Sequence, residues 1–316
     1  VRFAYFVVLL LAVIVLNFLL IHAAPGDIVE TIAGIEGGMS PDLMVTLRQE
    51  YGLDQPVLVQ LWIYISRVFS GNLGFSFYYN QPVLDLILAR VPATLLLVLT
   101  TVLGAFVVGT TIGVMAARKP NGLLSQLTVA VSIFGFATPV FWSGIMLVML
   151  LALAVPIFPV SGMRSVDVPQ GGIAAALDVA HHLVLPSITL GIAYVGQYSR
   201  LARASMIEVL DADYIRTARS KGASETSIIM KHGLRNAILP VVTMLGLQFG
   251  NVIAGAVLVE TVFNWPGLGR LAYDAVMRRD YPTILGVLTF SVVVVVVMNI
   301  ITDILYSIID PRMKRR

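Results

Sequence analysis

The chain has 316 residues, of which 58% are hydrophobic and only 12% charged, with a mean hydropathy of +0.88 and a formal net charge of +3. A soluble globule carries about 25% charged residues, so the composition excludes an ordinary water-solvated enzyme or binding domain and indicates a chain solvated mostly by lipid. The sequence holds no cysteine, which excludes disulfides, thiolate metal sites and a cysteine nucleophile.

Six stretches without Asp, Glu, Lys or Arg reach, or nearly reach, the roughly 20 apolar residues that cross a bilayer. They are Phe3–Ile21, Val91–Ala117, Pro120–Met163, Leu183–Ser199, Asn236–Val259 and Tyr281–Thr302. The third is too long for one crossing, but Pro156, Pro159 and Gly162 end its helix near Val155. The expected fold class is therefore all-α, with six transmembrane helices at 1–22 and, within a core of 91–308, at about 91–117, 126–155, 183–202, 238–260 and 282–305. The first run exceeds the signal-peptide core of about 7–15 residues and precedes no obvious cleavage site, so it reads as a retained span. Val1 leaves open whether residues precede it.

Cytoplasmic loops are enriched in Lys and Arg. With both ends inside, the inner segments hold fourteen of the 21 basic residues, and the longer outer segments hold Arg48, Arg67, Arg90, Arg164, Arg270, Arg278 and Arg279. The expected orientation thus places 203–239 and the basic tail 309–316 in the cytoplasm and 23–90 outside. The sequence pI near 9.2 reports this topology rather than nucleic-acid binding, whose footprint is a basic stripe on a soluble domain.

In chain order, the outer segment after the first span carries seven acids and three arginines. Ser40-Pro41 opens a helix whose Leu43, Leu47 and Tyr51 share a face until Gly52 stops it. Val57, Leu61, Ile65 and Val68 then recur at helical spacing. These short helices cap the bundle, lie in the membrane interface or receive solute. In the second span Gly109 and Gly113 suit close helix packing, and Pro139 in the third suits a kink. The adjacent His181 and His182 point about 100° apart on a helix, without further clustered ligands, and are not read as a metal site.

Polar residues inside spans are candidates for a translocation pathway, because a lipid-facing amide or hydroxyl costs free energy. Tyr194, Gln197 and Tyr198 fall on neighbouring positions of the fourth span, and Gln248, Asn251 and Gly255 on those of the fifth. The structural alternative for each is a bond to an adjacent helix. Glu260, at the outer end of the fifth span, is either an outer gate or an interfacial acid.

The cytoplasmic segment between these spans is longer than a connection requires. Asp213 is placed to cap a helix in which Tyr214, Ile215 and Ala218 are apolar and Arg216, Arg219 and Lys221 basic, with Gly222 as a left-handed stop. A second helix begins near Ser224 or Glu225 and passes Lys231 and His232 towards Pro240. A helix, a glycine corner and a second helix joined to a span fit a partner's groove better than they fit lipid headgroups.

At these residues the chain resembles the integral membrane subunits of bacterial ABC importers, whose loop carries glutamate, two alanines, three residues and glycine. Ala218 and Gly222 match that pattern; Arg216 and Thr217 stand where glutamate and the first alanine would, and Gly222 is farther from Leu239-Pro240 than usual. The departures resemble the dipeptide, oligopeptide and nickel branch, as do Asp213–Gly222, Leu234–Pro240, Leu19–Asp27 with its closing Pro25-Gly26-Asp27, Tyr51–Pro56, Gly71–Gly74, Thr138-Pro139, Glu260–Phe263, Trp265–Gly269 and Asp310-Pro311-Arg312.

The resemblance implies a multi-pass protein of the bacterial inner membrane that forms half of a pathway for di- or oligopeptides. The alternative solutes are nickel, glutathione or a haem-like molecule. It also implies as partners a second homologous permease, two ATP-binding domains or subunits and an extracellular solute-binding protein. Asp213, Tyr214, Arg216, Thr217, Ala218, Arg219, Lys221 and Gly222 would form the element coupling to the ATPase.

No glycine-rich loop ending in Gly-Lys-Ser or Gly-Lys-Thr occurs in the sequence, so the phosphate cradle is not in this chain. No cofactor is expected here; ATP and Mg belong to the partners, and Gly267-Leu268-Gly269 reads as a turn. An ATP-independent secondary transporter would place acids or lysines near the bilayer midplane, whereas Asp303 lies towards the inner end of its span. An intramembrane enzyme would need a nucleophile with its base, or a metal cluster, and four scattered histidines supply neither.

Overall fold

The computed structural model describes residues 2–23, 29, 40–169 and 171–309. Its elements are α1 (Arg2–Ala23), α2 (Pro41–Tyr51), α3 (Val57–Phe69), the two-residue strands β1 (Phe75–Ser76) and β2 (Gln81–Pro82), α4 (Val83–Ala117), α5 (Leu123–Ala137), α6 (Val140–Val148), α7 (Gly172–Leu210), α8 (Asp213–Ser220), α9 (Glu225–Ser227), α10 (Leu234–Val262), α11 (Leu268–Arg278) and α12 (Tyr281–Ile309). Single π-helical turns continue α6 over Met149–Ala154 and α9 over Ile228–Gly233. The described residues are mostly helical, as the long charge-free apolar runs lead one to expect. The antiparallel pair Phe75↔Pro82 and Ser76↔Gln81 is the exception within the described residues.

Among the described residues, α4, α7 and the Tyr281–Met298 part of α12 are each long and apolar enough to cross a membrane. Helices α5 and α6 meet that test only together, and they are bent by 103° at their junction. The expected kink at Pro139 is thus a full break. Proline disfavours the α region for the residue before it, and Thr138 is extended, at φ −86° and ψ 129°. Its hydroxyl bonds back to the Phe134 carbonyl at 2.8 Å, closing the end of α5.

Two compact units divide the chain, Val1–Pro92 with Gly267–Val297 and Ala93–Pro266 with Met298–Arg316. In the first, Asn17 of α1 donates to Thr289 of α12 at 3.0 Å, and α3 packs on α1. Val83, Ile87, Leu268, Leu271 and Val287 form its core. Asp280 opens α12: its carboxylate accepts from the Thr283 hydroxyl at 2.7 Å and from the Ser76 hydroxyl at 2.5 Å. One buried side chain therefore caps a long helix and ties the hairpin to it.

In the second unit α7 packs against α5, α6 and α10, around Leu97, Leu185, Leu190, Val259, Phe263 and Trp265. Lipid tails are as apolar as leucine, so helix association rests on close van der Waals fit. Glycine provides it here. A Cβ at Gly196 would lie 2.8 Å from the Ser132 Cα, and one at Gly109 would lie 2.7 Å from the Tyr198 Cβ and 2.8 Å from the Val195 carbonyl oxygen. Gly113 approaches Ser199 and Ala202 in the same way.

Replacing Gly196 by valine should separate α5 from α7 and destabilise the protein by about 1–3 kcal/mol or more. Gly104, with nothing within 4 Å of its would-be Cβ, should accept alanine without loss. Thermal unfolding of both variants in detergent checks the contrast.

Candidate functional site

The segment after α7 is a folded corner. Helix α8 begins at Asp213 with Ala212 in the capping position, and no side chain caps it. Asp213 is therefore the first helical residue and not the cap expected from the sequence; its negative charge suits the helix N-terminus, and it lies 3.7 Å from Arg216 with both side chains exposed. Gly222 turns the chain at φ +81°, the left-handed conformation that glycine adopts without steric cost. Ser224 then caps α9, accepting from the Ser227 N–H at 3.3 Å.

Apolar side chains hold this corner in place. Ile215 and Ile228 are fully buried, and Met206 near the end of α7 packs with Ala117, Ile229 and Ala237. A Cβ at Gly233 would come within 2.5 Å of the Met206 Cε, so the π turn between α9 and α10 is seated directly on α7. The Tyr214 hydroxyl accepts from the Asn236 amide of α10 at 2.9 Å, and the Arg219 guanidinium meets Glu225 across the corner at 3.0 Å.

The exposed side carries Arg216, Thr217, Arg219 and Lys221 with Tyr214 and Met230, whereas Ala218 is half-buried. The corner thus presents a mixed basic and apolar surface while its opposite side fuses to α7 and α10. The links through Met206, Gly233 and Asn236 join residues distant in the chain and have no local sequence signal.

The polar positions of the spans separate into two environments. Gln248 of α10 is buried and donates to Gln197 of α7 at 2.6 Å, so these two candidates meet as an inter-helix pair. Tyr194 is half-buried beside them in sequence, packed against the core that holds Leu97 and Val259. Tyr198 is wholly enclosed: its ring meets Phe106 edge-on at 5.8 Å and its Cβ abuts Gly109. In this chain it touches protein rather than open space. Asn251 and Gly255 belong to α10, but their side-chain positions lie outside the described residues.

Glu260, near the end of α10, is fully buried and accepts from the Thr94 hydroxyl of α4 at 2.7 Å. One turn on, Trp265 is also fully buried; its indole donates to the Ala93 carbonyl at 2.8 Å, and its backbone N–H donates to the Glu260 carbonyl at 2.8 Å. Of the two readings from the sequence, an outer gate or an interfacial acid, the burial of Glu260 against α4 speaks against the interfacial one. The two histidines serve structure: His181 donates to the Ile157 carbonyl at 2.9 Å and His182 to that of Asp178 at 2.8 Å. Among the described residues no three His, Asp or Glu side chains gather as a metal site.

This helix set matches a known architecture. Residues 109–315 match the family described as binding-protein-dependent transport system inner membrane component, and residues 1–98 match its N-terminal counterpart. The chain belongs to this family. It is 40% identical over 305 residues to the glutathione transport system permease protein GsiC of Escherichia coli O6:H1, covering 96% of this chain and 94% of that one. It is 39% identical over 323 residues to the dipeptide transport system permease protein DppB of Escherichia coli K12, covering 97% and 95%. Among solved structures, a chain of the inward-facing MetNI methionine ABC transporter shares the fold with a TM-score of 0.55 at 16% identity, over 71% of this chain and 96% of that one. The protein is thus a membrane permease subunit of an ABC importer, homologous to dipeptide and glutathione permeases.

Two measurements follow from the buried polar contacts. A double-mutant cycle of Gln197→Leu and Gln248→Leu should give a coupling of about 0.6 kcal/mol, the typical value for hydrogen bonds between membrane helices. Thr94→Val, which keeps the shape but withdraws a donor from the buried Glu260, should cost about 1–3 kcal/mol in thermal unfolding.

Proposed function

We propose that the chain crosses the membrane six times and forms half of a translocation pathway for short peptides, working with a second, homologous permease subunit. The six spans are α1, α4, the broken pair α5–α6, α7, α10 and α12, with both termini and the α8 corner in the cytoplasm. The lengths of α1 and α10, 22 and 29 residues, suit a crossing of about 30 Å at 1.5 Å per residue, and the distribution of Lys and Arg supports the orientation. The peptide class is supported by the dipeptide and glutathione relatives, glutathione being itself a tripeptide.

In this reading Asp213–Gly222 docks onto one of two ATP-binding domains or subunits, which hold ATP and Mg, and an extracellular binding protein delivers solute. The observation that carries it is the corner's construction, with one side buried on α7 and α10 and the other exposed and basic. A force applied at the corner would pass to α7 through Met206 and to α10 through the π turn. Both helices bear the polar candidates, Gln197 and Gln248, with Asn251 one turn further along α10. Pro240 and Asn251 are separated by about 17 Å at the helical rise, which puts these polar positions well inside the bilayer. Glu260 would act in gating by releasing Thr94.

Gly222→Val should leave insertion intact and abolish or sharply reduce coupled uptake while ATP hydrolysis continues, because a β-branched residue at φ +81° is strained by roughly 1–3 kcal/mol. Full transport by this variant in reconstituted vesicles would refute the coupling role. A cysteine placed at 251 should react with water-soluble thiol reagents, with rates that differ between ATP-trapped and resting complexes, whereas one at 248, buried against Gln197, should react only in a state that opens the α7–α10 pair. Labelling that is absent in every state would remove α10 from the pathway.

A further inference from the structure

Helix α3 is amphipathic in the reverse sense of a helix on a water-soluble protein. Its polar residues Gln60, Tyr64 and Arg67 line a cavity of about 90 Å³ shared with Phe18 and His22 of α1. Gln60 is fixed there, donating to the Gln55 carbonyl at 2.7 Å and the Leu53 carbonyl at 3.2 Å and accepting from His22 at 2.9 Å. The opposite side is apolar and open: Leu58 is 80% exposed, Trp62 69% and Phe69 58%. At 100° per residue these three fall within about 40° of one another.

Several observations identify what covers this stripe. Asp54, Gln55 and Pro56 before α3 and Ser70, Gly71 and Asn72 after it are all exposed, so both ends of the helix reach water. Its thirteen residues extend about 20 Å, too short for a hydrocarbon core of about 30 Å. A helix that is polar at both ends and apolar along its outer flank therefore lies along a surface and does not enter it end-on.

That surface adjoins an apolar one, because α3 packs on α1, with Phe18 and Tyr64 rings 6.2 Å apart, and the outward side of α1 is Leu9, Leu16, Leu19 and Leu20. The central aromatic on the stripe is tryptophan, whose apolar body and polar N–H favour the headgroup level of a bilayer.

We propose that α3 lies flat in the headgroup region of the membrane, with Leu58, Trp62 and Phe69 reaching the acyl boundary. It anchors the segment between α1 and the β1–β2 hairpin to the lipid surface. The proposal rests on the membrane location of the chain and on none of the assignments of solute, pathway or ATPase partner, so it stands or falls separately from them.

The test uses the chain purified from membranes with its co-eluting subunits and reconstituted into vesicles of phosphatidylethanolamine and phosphatidylglycerol. Single variants Leu58→Cys, Trp62→Cys and Phe69→Cys carry a nitroxide, with Asp54→Cys and Ser70→Cys as aqueous references. Collision of the label with oxygen, which concentrates in lipid, is compared with collision with a water-soluble nickel chelate. The ratio of the two should be about threefold or more higher at 58, 62 and 69 than at the references, as expected for side chains buried about 5–10 Å below the membrane surface. Ratios equal to the references would mean a water-facing stripe and would overturn the proposal. Poor access of both reagents would overturn it too, by showing that protein, a second copy or another chain, covers the stripe.

Discussion

Close backbone contact between helices is the constraint on which the second unit depends. Water is absent from the hydrocarbon core, so burying a leucine against another helix gains little over leaving it in lipid. What remains is dispersion, which falls steeply with separation. Gly109, Gly113 and Gly196 let the helix backbones of α4, α7 and α5 approach to distances that any side chain would prevent. The same closeness encloses Tyr198 and brings Gln197 to Gln248. Side chains that read from the sequence as one polar face are therefore distributed by packing between an enclosed position and a paired one.

The low dielectric raises the stakes of each polar group held between these helices. Glu260 sits fully buried beside Thr94, and Trp265 satisfies its indole on the Ala93 carbonyl in the adjacent residue of α4. The start of α4 within this unit is thus fixed by two consecutive residues, one through a side chain and one through a backbone oxygen. In the other unit the Asp280 carboxylate does equivalent work, joining the hairpin at Ser76 to the first turn of α12. Asp280 thereby serves the first turn of α12, where backbone N–H groups lack intrahelical partners, whereas Glu260, in the last turn of α10, takes its donor from the Thr94 side chain of α4.

Much of this was legible in the sequence because hydropathy and helix-stop chemistry are local. Apolar run length anticipated α4, α7 and α12, the left-handed turn at Gly222 followed from glycine's freedom, and the end of the third span near Val155 followed from Pro156 and Pro159. The features that escaped depend on partners distant in the chain. Nothing within residues 75–82 announces a hairpin of two-residue strands, since Ser76 is held by Asp280, 204 residues away. Thr138-Pro139 suggested a kink, but the 103° bend leaves α6 packed on α7 and α10, and those contacts have no signal in the local sequence. The cap at Ala212 in place of Asp213 reflects a shift of one residue, the usual uncertainty of helix ends. Asp213 still places negative charge in the first turn.

The rigidity of the corner between α7 and α10 can be apportioned by magnitude. Arg219 and Glu225 meet at 3.0 Å, but both side chains are about half exposed, and such a pair contributes about 0–1 kcal/mol. Met206 is fully buried against Gly233, in a cluster with Ile229 and Ala237, and truncating a buried methionine to alanine costs about 2–5 kcal/mol. The shape of the corner therefore resides in its apolar seat on α7, not in the ion pair that spans it. An exposed ion pair tolerates changes in geometry that a close-packed side chain does not. Docking at the exposed side could thus rearrange Arg219 and Glu225 cheaply while leaving the Met206 contact intact, so that the corner moves as a body with the ends of α7 and α10. Met206→Ala should accordingly loosen the corner, seen as faster proteolysis or hydrogen exchange across 213–233, whereas Arg219→Ala should leave that protection close to the parent. Equal loss of protection in both variants would assign the corner's rigidity to the ion pair instead.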